Sequence, residues 1–306
     1  MQTLSQIREL LAQRGLRPKH RLGQNFLHDK NQITKLIDAA DFQSGDLVLE
    51  IGPGTGTLTA ALLERGASVI ACEIDEGMAG IIEDLFAEHM TDDGAVGGRR
   101  GRGGGGAHSG GGSLVLIRGD ALAKQRQLNP EIVRALADRP FKLIANLPYQ
   151  IASPLMTTLL IDHPNCTGQF VTIQKEVADR LMAQPRTKEY GPLTIIVQAL
   201  ADVQRIGIVS PSCFWPPPEV TSAMVAILPS PSGRWVGGAG AHSLSEPEAR
   251  RGFARFITDL FTKRRKQLGT IFGRAKSDWP DGVTPDLRPE ALSVERLVAL
   301  WRVTHA

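Results

Sequence analysis

Short apolar runs separated by amphipathic, helix-length stretches set the plan of this chain. Leu4, Ile7, Leu10 and Leu11 fall at helical spacing, so residues 4–13 predict a short amphipathic helix. A basic connector follows, with Arg14, Arg17, Lys19, His20 and Arg21. Ile33, Leu36 and Ile37 then share one face of a second helix over about 31–41. Leu47–Ile51, Ser68–Cys72, Leu114–Ile117, Phe141–Ala145 and Gln169–Gln174 are apolar runs of strand length. Helix-length segments lie between them, which predicts βαβ units and a parallel, doubly wound sheet. Val203–Val209 and Ala223–Leu228 add two strands with no helix-length segment between them, the pattern of an antiparallel pair closing the sheet.

Two segments break this order. Residues 91–113 are dominated by glycine and carry Arg99, Arg100 and Arg102. They hold too little apolar surface to offset ordering entropy and read as a disordered insert, an inert loop rather than an RNA contact. Residues 229–247 have linker composition. The expected layout is therefore a domain over 1–228, a linker over 229–247, and a small helical domain over 248–306.

Composition narrows the classes. The 306 residues suit one large and one small domain, and 42% hydrophobic with 22% charged residues is ordinary for a soluble globular protein. A net charge of +3 permits a nucleic-acid partner without arguing for one. Cys72, Cys166 and Cys213 form no C-x-x-C pair, which argues against a disulfide scaffold or zinc ribbon and for a reducing, cytoplasmic compartment. No histidine spacing suits a metal, no secretory signal opens the chain, and no run of about 18 apolar residues predicts a membrane span.

The chemistry concentrates at strand ends. VLEIGPGTGTLT (48–59) runs an apolar strand into Gly52, Gly54 and Gly56 and then into a helix. Glycines there let the backbone turn sharply and approach a ligand, with helix amides facing it. A dinucleotide loop needs glycine at position 57, which is Thr57; G-x-G-x-G after Glu50 resembles instead the first motif of Rossmann-like methyltransferases. Glu73, about 20 residues further on, is placed to accept from both ribose hydroxyls of a nucleoside. Asp75 reads as the cap of the next helix. Asp120 ends the third strand, as an acceptor for an adenine amino group or as a helix cap.

Asn146-Leu147-Pro148-Tyr149 ends the fourth strand. An adenine amine is a poor nucleophile because its lone pair is delocalised into the ring. Acceptors on Asn146 and the Leu147 carbonyl favour the pyramidal nitrogen of the transition state. Pro148 fixes the turn, and Tyr149 offers a face for an extruded base. The bland alternative is an ordinary strand-to-helix turn.

With these residues the chain resembles the KsgA-type ribosomal RNA adenine dimethyltransferases, which are related to the Erm methyltransferases. Arg21-Leu22-Gly23-Gln24-Asn25-Phe26-Leu27 is similar to the family's G-Q-N-F-L element, and the resemblance implies cofactor contacts at Asn25 and Leu27. It carries Gly52, Glu73, Asp120 and Asn146 over as cofactor-pocket residues and Asn146 to Tyr149 as the catalytic turn. Phe214-Trp215-Pro216-Pro217-Pro218-Glu219-Val220-Thr221-Ser222 resembles F-x-P-P-P-x-V-x-S, which implies that Phe214 packs the target base opposite the tyrosine. Glu219 departs from the lysine often found there. Phe261-Thr262-Lys263-Arg264-Arg265-Lys266 resembles F-x-x-R-R-K. Lys263, Arg264, Arg265 and Lys266 are expected to spread around a helix and meet RNA phosphates.

The resemblance implies a Rossmann-like, doubly wound α/β fold of the class I S-adenosylmethionine-dependent methyltransferases with a small C-terminal helical domain. It implies dimethylation of two adjacent adenosines near the 3′ end of small-subunit rRNA within a pre-ribosomal particle, by a monomer without metal. The competing readings are an Erm-like enzyme acting on large-subunit rRNA, a non-catalytic RNA-binding assembly or transcription factor on the same fold, and a DNA adenine methyltransferase.

Overall fold

The computed structural model describes residues 1–91, 112–124, 127–230, 244–273 and 277–305. The predicted insert, apart from Thr91, Gly112 and Ser113, and most of the predicted linker lie outside them. The strands are β1 (Phe26–Leu27), β2 (Leu47–Ile51), β3 (Ser68–Glu73), β4 (Ser113–Arg118), β5 (Phe141–Asn146), β6 (Cys166–Gln174), β7 (Ala201–Val209), β8 (Phe214–Trp215) and β9 (Ser222–Pro229). Seven of them form one sheet in the order β4-β3-β2-β5-β6-β9-β7. The pairs from β4 through β6 are all parallel, as the βαβ pattern predicts. Every residue of the central β2 is buried, which is why its sequence is an unbroken apolar run but for Glu50. The two late strands are neighbours, with β9 inserted beside β6 and β7 outside it.

Parallel strands need crossovers, and α3 (Thr57–Glu64), α4 (Glu76–Leu85), α5 (Pro130–Leu136) and α6 (Tyr149–Asp162) supply them, while α1 (Leu4–Gln13) and α2 (Lys30–Ala40) precede β2. Both early helices form where periodicity places them. In α1, Thr3 and Gln6 cap each other reciprocally and Ile7 and Leu11 are buried against Phe26, Met78 and Ile81. Asp29 caps α2, which buries Ile33, Leu36, Ile37 and Ala40. Because β2, β3, β4 and β5 run the same way, Ile51, Glu73, Arg118 and Asn146 end at one edge of the sheet, where open α/β folds bind ligands.

The chain forms two compact units. The first is Met1–Met156, Asn165–Lys175 and Arg205–Ala226; the second is Thr157–Pro164, Glu176–Gln204 and Ile227–Ala306. The second unit thus reaches back past the predicted boundary to take in α7 (Lys175–Leu181) from Glu176 and α8 (Pro192–Leu200). The reason lies in α8, which buries Leu193, Thr194, Ile195, Ile196, Val197, Ala199 and Leu200 and so needs partners nearly all round. It finds them in α9 (Pro247–Thr262) and, beyond the short α10 (Leu268–Phe272), in α11 (Val294–Thr304). Tyr190 lies at 0% exposure in this core and donates to the Leu292 carbonyl at 2.8 Å.

One expectation is corrected here. Lys263 to Lys266 do not spread around a helix: α9 ends at Thr262, Lys263 is its C-cap, and the run forms a turn. Arg264 is also paired, with its Nε 2.9 Å from Glu290, while Lys263, Arg265 and Lys266 stand exposed. Cations just past a helix end are favoured by the partial negative charge of its last carbonyls. Among the described residues, no helix is long and apolar enough to cross a membrane.

Candidate active site

The first unit carries a cleft at the C-terminal tips of β2, β3, β4 and β5. Asn25, Leu27, Gly52, Gly54, Glu73, Asp120 and Asn146 through Tyr149 all line it. These ten residues span 125 positions of sequence, and the sheet brings them together. Two others stand apart. Gly56 caps α3 without lining the cleft, and Phe214 is buried in β8.

The loop after β2 is shaped by its glycines. Gly52, Gly54 and Gly56 all have left-handed backbone, with φ of 71°, 57° and 83°. At Gly54 the constraint is double, since a Cβ there would stand 2.8 Å from the Phe26 ring. The Gly54 amide donates to Glu73 Oε2 at 3.2 Å, which locks the loop to the neighbouring strand tip.

Glu73 is 5% exposed. Its other oxygen accepts from the Asp75 amide at 2.8 Å. Burial pushes its pKa up, and the amide donors of Asp75, Gly54 and Ile74 offset part of that rise. Each carboxylate oxygen retains acceptor capacity beyond these bonds, so a buried acid facing a cleft suits a ligand with paired hydroxyls. Asp75 is the helix cap that the sequence suggests: its Oδ1 accepts from Gly77 and Met78 at the start of α4. Burial works to raise its pKa, but Lys19, the Gly77 amide and Gln24 outweigh it and hold the carboxyl below its usual range. Asp120 is exposed and turns one oxygen to the Leu122 amide at 3.0 Å, leaving the second for a ligand.

Glu50 lies beneath the loop at 1% exposure, and Thr59 Oγ1 donates to it at 2.7 Å. Desolvation pushes its pKa up to about 8, against the Thr59 bond and with help from the nearby Glu73 charge. Cys72 also lines the cleft; burial, with Glu73 and Asp120 nearby, pushes its thiol up to about 12 and keeps it neutral.

A strap from the basic connector covers this floor. Lys19 Nζ reaches Asp75 at 2.7 Å and Gln24 Nε2 donates to the same oxygen at 3.1 Å. The strap continues into β1, which pairs antiparallel with β8, Phe26 opposite Trp215 and Leu27 opposite Phe214. From it the Asn25 carbonyl accepts a bond of 3.0 Å from Asn146 Nδ2. That contact fixes the amide: with the donor committed, Oδ1 is the end left to a ligand, and no protein group among the described residues bonds it. At the same corner Leu147 is anchored through its amide to the Thr172 carbonyl at 3.1 Å. Tyr149 opens α6, half-buried, with its hydroxyl on Ser222. Sequence reasoning did not single out Lys19, Gln24 or Ser222 for the site. Gln24 and Ser222 sit inside recognised motifs, but nothing in the letters says what they touch.

A sheet in this strand order, parallel from β4 through β6, with a glycine loop after its first strand and an acid at the tip of its second, defines a Rossmann-like fold of the S-adenosylmethionine-dependent methyltransferase class. The chain belongs to the ribosomal RNA adenine dimethylase family, whose profile matches residues 15–91 and 108–301. It is 34% identical to the ribosomal RNA small subunit methyltransferase A of Mycobacterium tuberculosis (strain ATCC 25177 / H37Ra), over 97% of this chain and 86% of that one. The Mycobacterium avium (strain 104) protein of the same name is also 34% identical, with the same coverage. Among solved structures, a dimethyladenosine transferase from Plasmodium falciparum superposes with a TM-score of 0.65 at 24% identity, covering 91% of this chain and 96% of that one. The 23S rRNA methyltransferase ErmE gives 0.60 at 21% identity, covering 92% and 100%. At such identities the two structures speak for the fold.

Proposed function

We propose that the chain dimethylates the 6-amino groups of two adjacent adenosines near the 3′ end of small-subunit rRNA, using S-adenosylmethionine, as the subunit matures in the cytoplasm. The observation that carries this reading is the Asn146 amide, held by the Asn25 carbonyl with its acceptor end available at the cleft. The relatives named for small-subunit methylation support the choice of substrate.

S-adenosylmethionine supplies, when bound, a methyl on cationic sulfur that needs no further activation. Glu73 would accept from the ribose hydroxyls and Asp120 from the adenine amino group, and the backbone at Gly52 and Gly54 would let the cofactor approach closely. Asn25 and Leu27 cover the site from the strap. Asn146 Oδ1 and the Leu147 carbonyl accept both N–H bonds of the target amine and turn its lone pair out of conjugation. Tyr149 stacks on the extruded base, and Phe214, paired with Leu27 of the strap, packs the base opposite it. Held in this geometry, the amine needs orientation rather than a covalent enzyme intermediate. Segment 248–306 binds RNA through the exposed Lys263, Arg265 and Lys266.

The test is to mix the protein with radiolabelled cofactor and immature small subunits lacking the modification. Dimethyladenosine should appear in their RNA. Label entering large-subunit RNA instead would transfer the chain to the Erm-like reading.

A further inference from the structure

We infer that Ser222 is a positioning residue for the ring that receives the target base, holding Tyr149 by its hydroxyl so that its face is set before RNA arrives. The inference deepens the proposed adenine methylation and rests on it. A tyrosine fixed only at its backbone still turns about two side-chain torsions, and a stacking partner must freeze that motion on binding. In this protein the far end is tied as well: Tyr149 Oη and Ser222 Oγ lie 2.7 Å apart.

The anchor is rigid. Ser222 is at 0% exposure and is the first residue of β9, an interior strand of the sheet. The adjoining Thr221 carbonyl accepts from the Lys175 amide at 2.9 Å. Ser222 Oγ meets the Tyr149 hydroxyl and no other group among the described residues, so the serine has one evident task. Tyr149 itself is only half-buried and lines the cleft, so its hydroxyl is not there merely to fill a core. The contact also joins two motifs distant in sequence, the N-L-P-Y corner and the end of the F-W-P-P-P-E-V-T-S loop. Through it the sheet sets the angle of the ring.

The experiment compares wild type, Ser222→Ala, Tyr149→Phe and the double variant as full chains. It reads kcat/KM on immature small subunits, the Kd of labelled cofactor, and thermal melting. Each single variant should lose about tenfold in kcat/KM, the scale of one hydrogen bond between neutral groups, and the double should be no worse than either. Cofactor Kd should stay within about twofold, because the lost bond orients the base and not the cofactor. Tyr149→Phe keeps the ring and removes only its oxygen, so it decides the matter if Ser222→Ala does not fold. Wild-type kcat/KM in Tyr149→Phe, losses that multiply in the double, or a parallel fall in cofactor affinity would each overturn the inference. A wild-type protein that leaves the adenosines unmodified sinks the proposed function and this inference together, whereas an active wild type with indifferent variants sinks this one alone.

Discussion

The Asn146 side chain donates through its nitrogen and accepts through its oxygen, and the protein engages the nitrogen. With Nδ2 on the Asn25 carbonyl at 3.0 Å, rotation of the amide would set two oxygens against each other, so the acceptor is presented in one orientation. Two substitutions follow with different physical causes. Asn146→Ala removes the acceptor. Asn146→Asp keeps acceptors but has no N–H for the Asn25 carbonyl, so it turns away. Both should lower single-turnover transfer by about 10²-fold or more, the loss typical of a preorganised polar partner. An aspartate variant as fast as wild type would remove Asn25 from the account. Glu50 makes a pH-dependent prediction. Its pKa rises from an ordinary 4.5 to about 8, chiefly through desolvation. Between those values the unfolded chain binds fewer protons than the folded one, so stability is full below pH 4.5 and is lost as pH climbs toward 8. Glu50→Gln should therefore melt like wild type at the acid end and higher than wild type near pH 8, by the equivalent of a few kcal/mol. Parallel melting curves at both ends would mean that Glu50 ionises freely in the folded protein.

The loop after β2 shows how an element turns composition into a site. Gly54 combines a φ of 57° with a Phe26 ring that a Cβ would approach to 2.8 Å, and Phe26 is also a strand partner of Trp215. Gly54→Ala should cost about 1–2 kcal/mol in backbone conformation alone, before the ring moves. Displacing Phe26 also disturbs the strap, so cofactor affinity should fall at least about tenfold alongside the melting temperature. Calorimetric titration with the cofactor checks this, and unchanged affinity would free the loop from the strap. Elements differ in how plainly the sequence announces them. The runs at Leu47–Ile51 and Phe141–Ala145 are legible because strands buried on both faces admit few polar residues. The glycine loop and the N-L-P-Y corner are legible because turns demand particular residue types. The pairing of β1 with β8 is not, since two-residue strands leave no periodicity to read and their partners, Phe26 with Trp215 and Leu27 with Phe214, lie far apart in the chain. Likewise α8 reads as an apolar run without a face, and only α9 and α11 explain it. Four cations in a row suggest helical geometry, but α9 ends at Thr262, directly before them.

For the whole molecule the open matter is what its small charge excess does. A net charge of +3 over 306 residues gives little long-range attraction for RNA, so binding must come from local groups. In the second unit Lys263, Arg265 and Lys266 stand exposed at the end of α9, whereas Arg264 is engaged with Glu290 at 2.9 Å. Two explanations compete for the run: cations that neutralise RNA phosphates, and cations that complement the C-terminal end of the helix dipole. Their consequences differ. Each phosphate contact adds roughly 0.7–0.9 to the slope of log K against log salt. Replacing Lys263, Arg265 and Lys266 together with alanine should therefore lower that slope by about 2–3 and weaken RNA binding at low salt, with cofactor affinity unchanged. Arg264→Ala should do the reverse, lowering the melting temperature by leaving half-buried Glu290 without its partner while moving the salt slope little. A triple variant that melts early but keeps the wild-type salt dependence would assign the run to the helix end and leave the RNA contact to be found elsewhere on the chain.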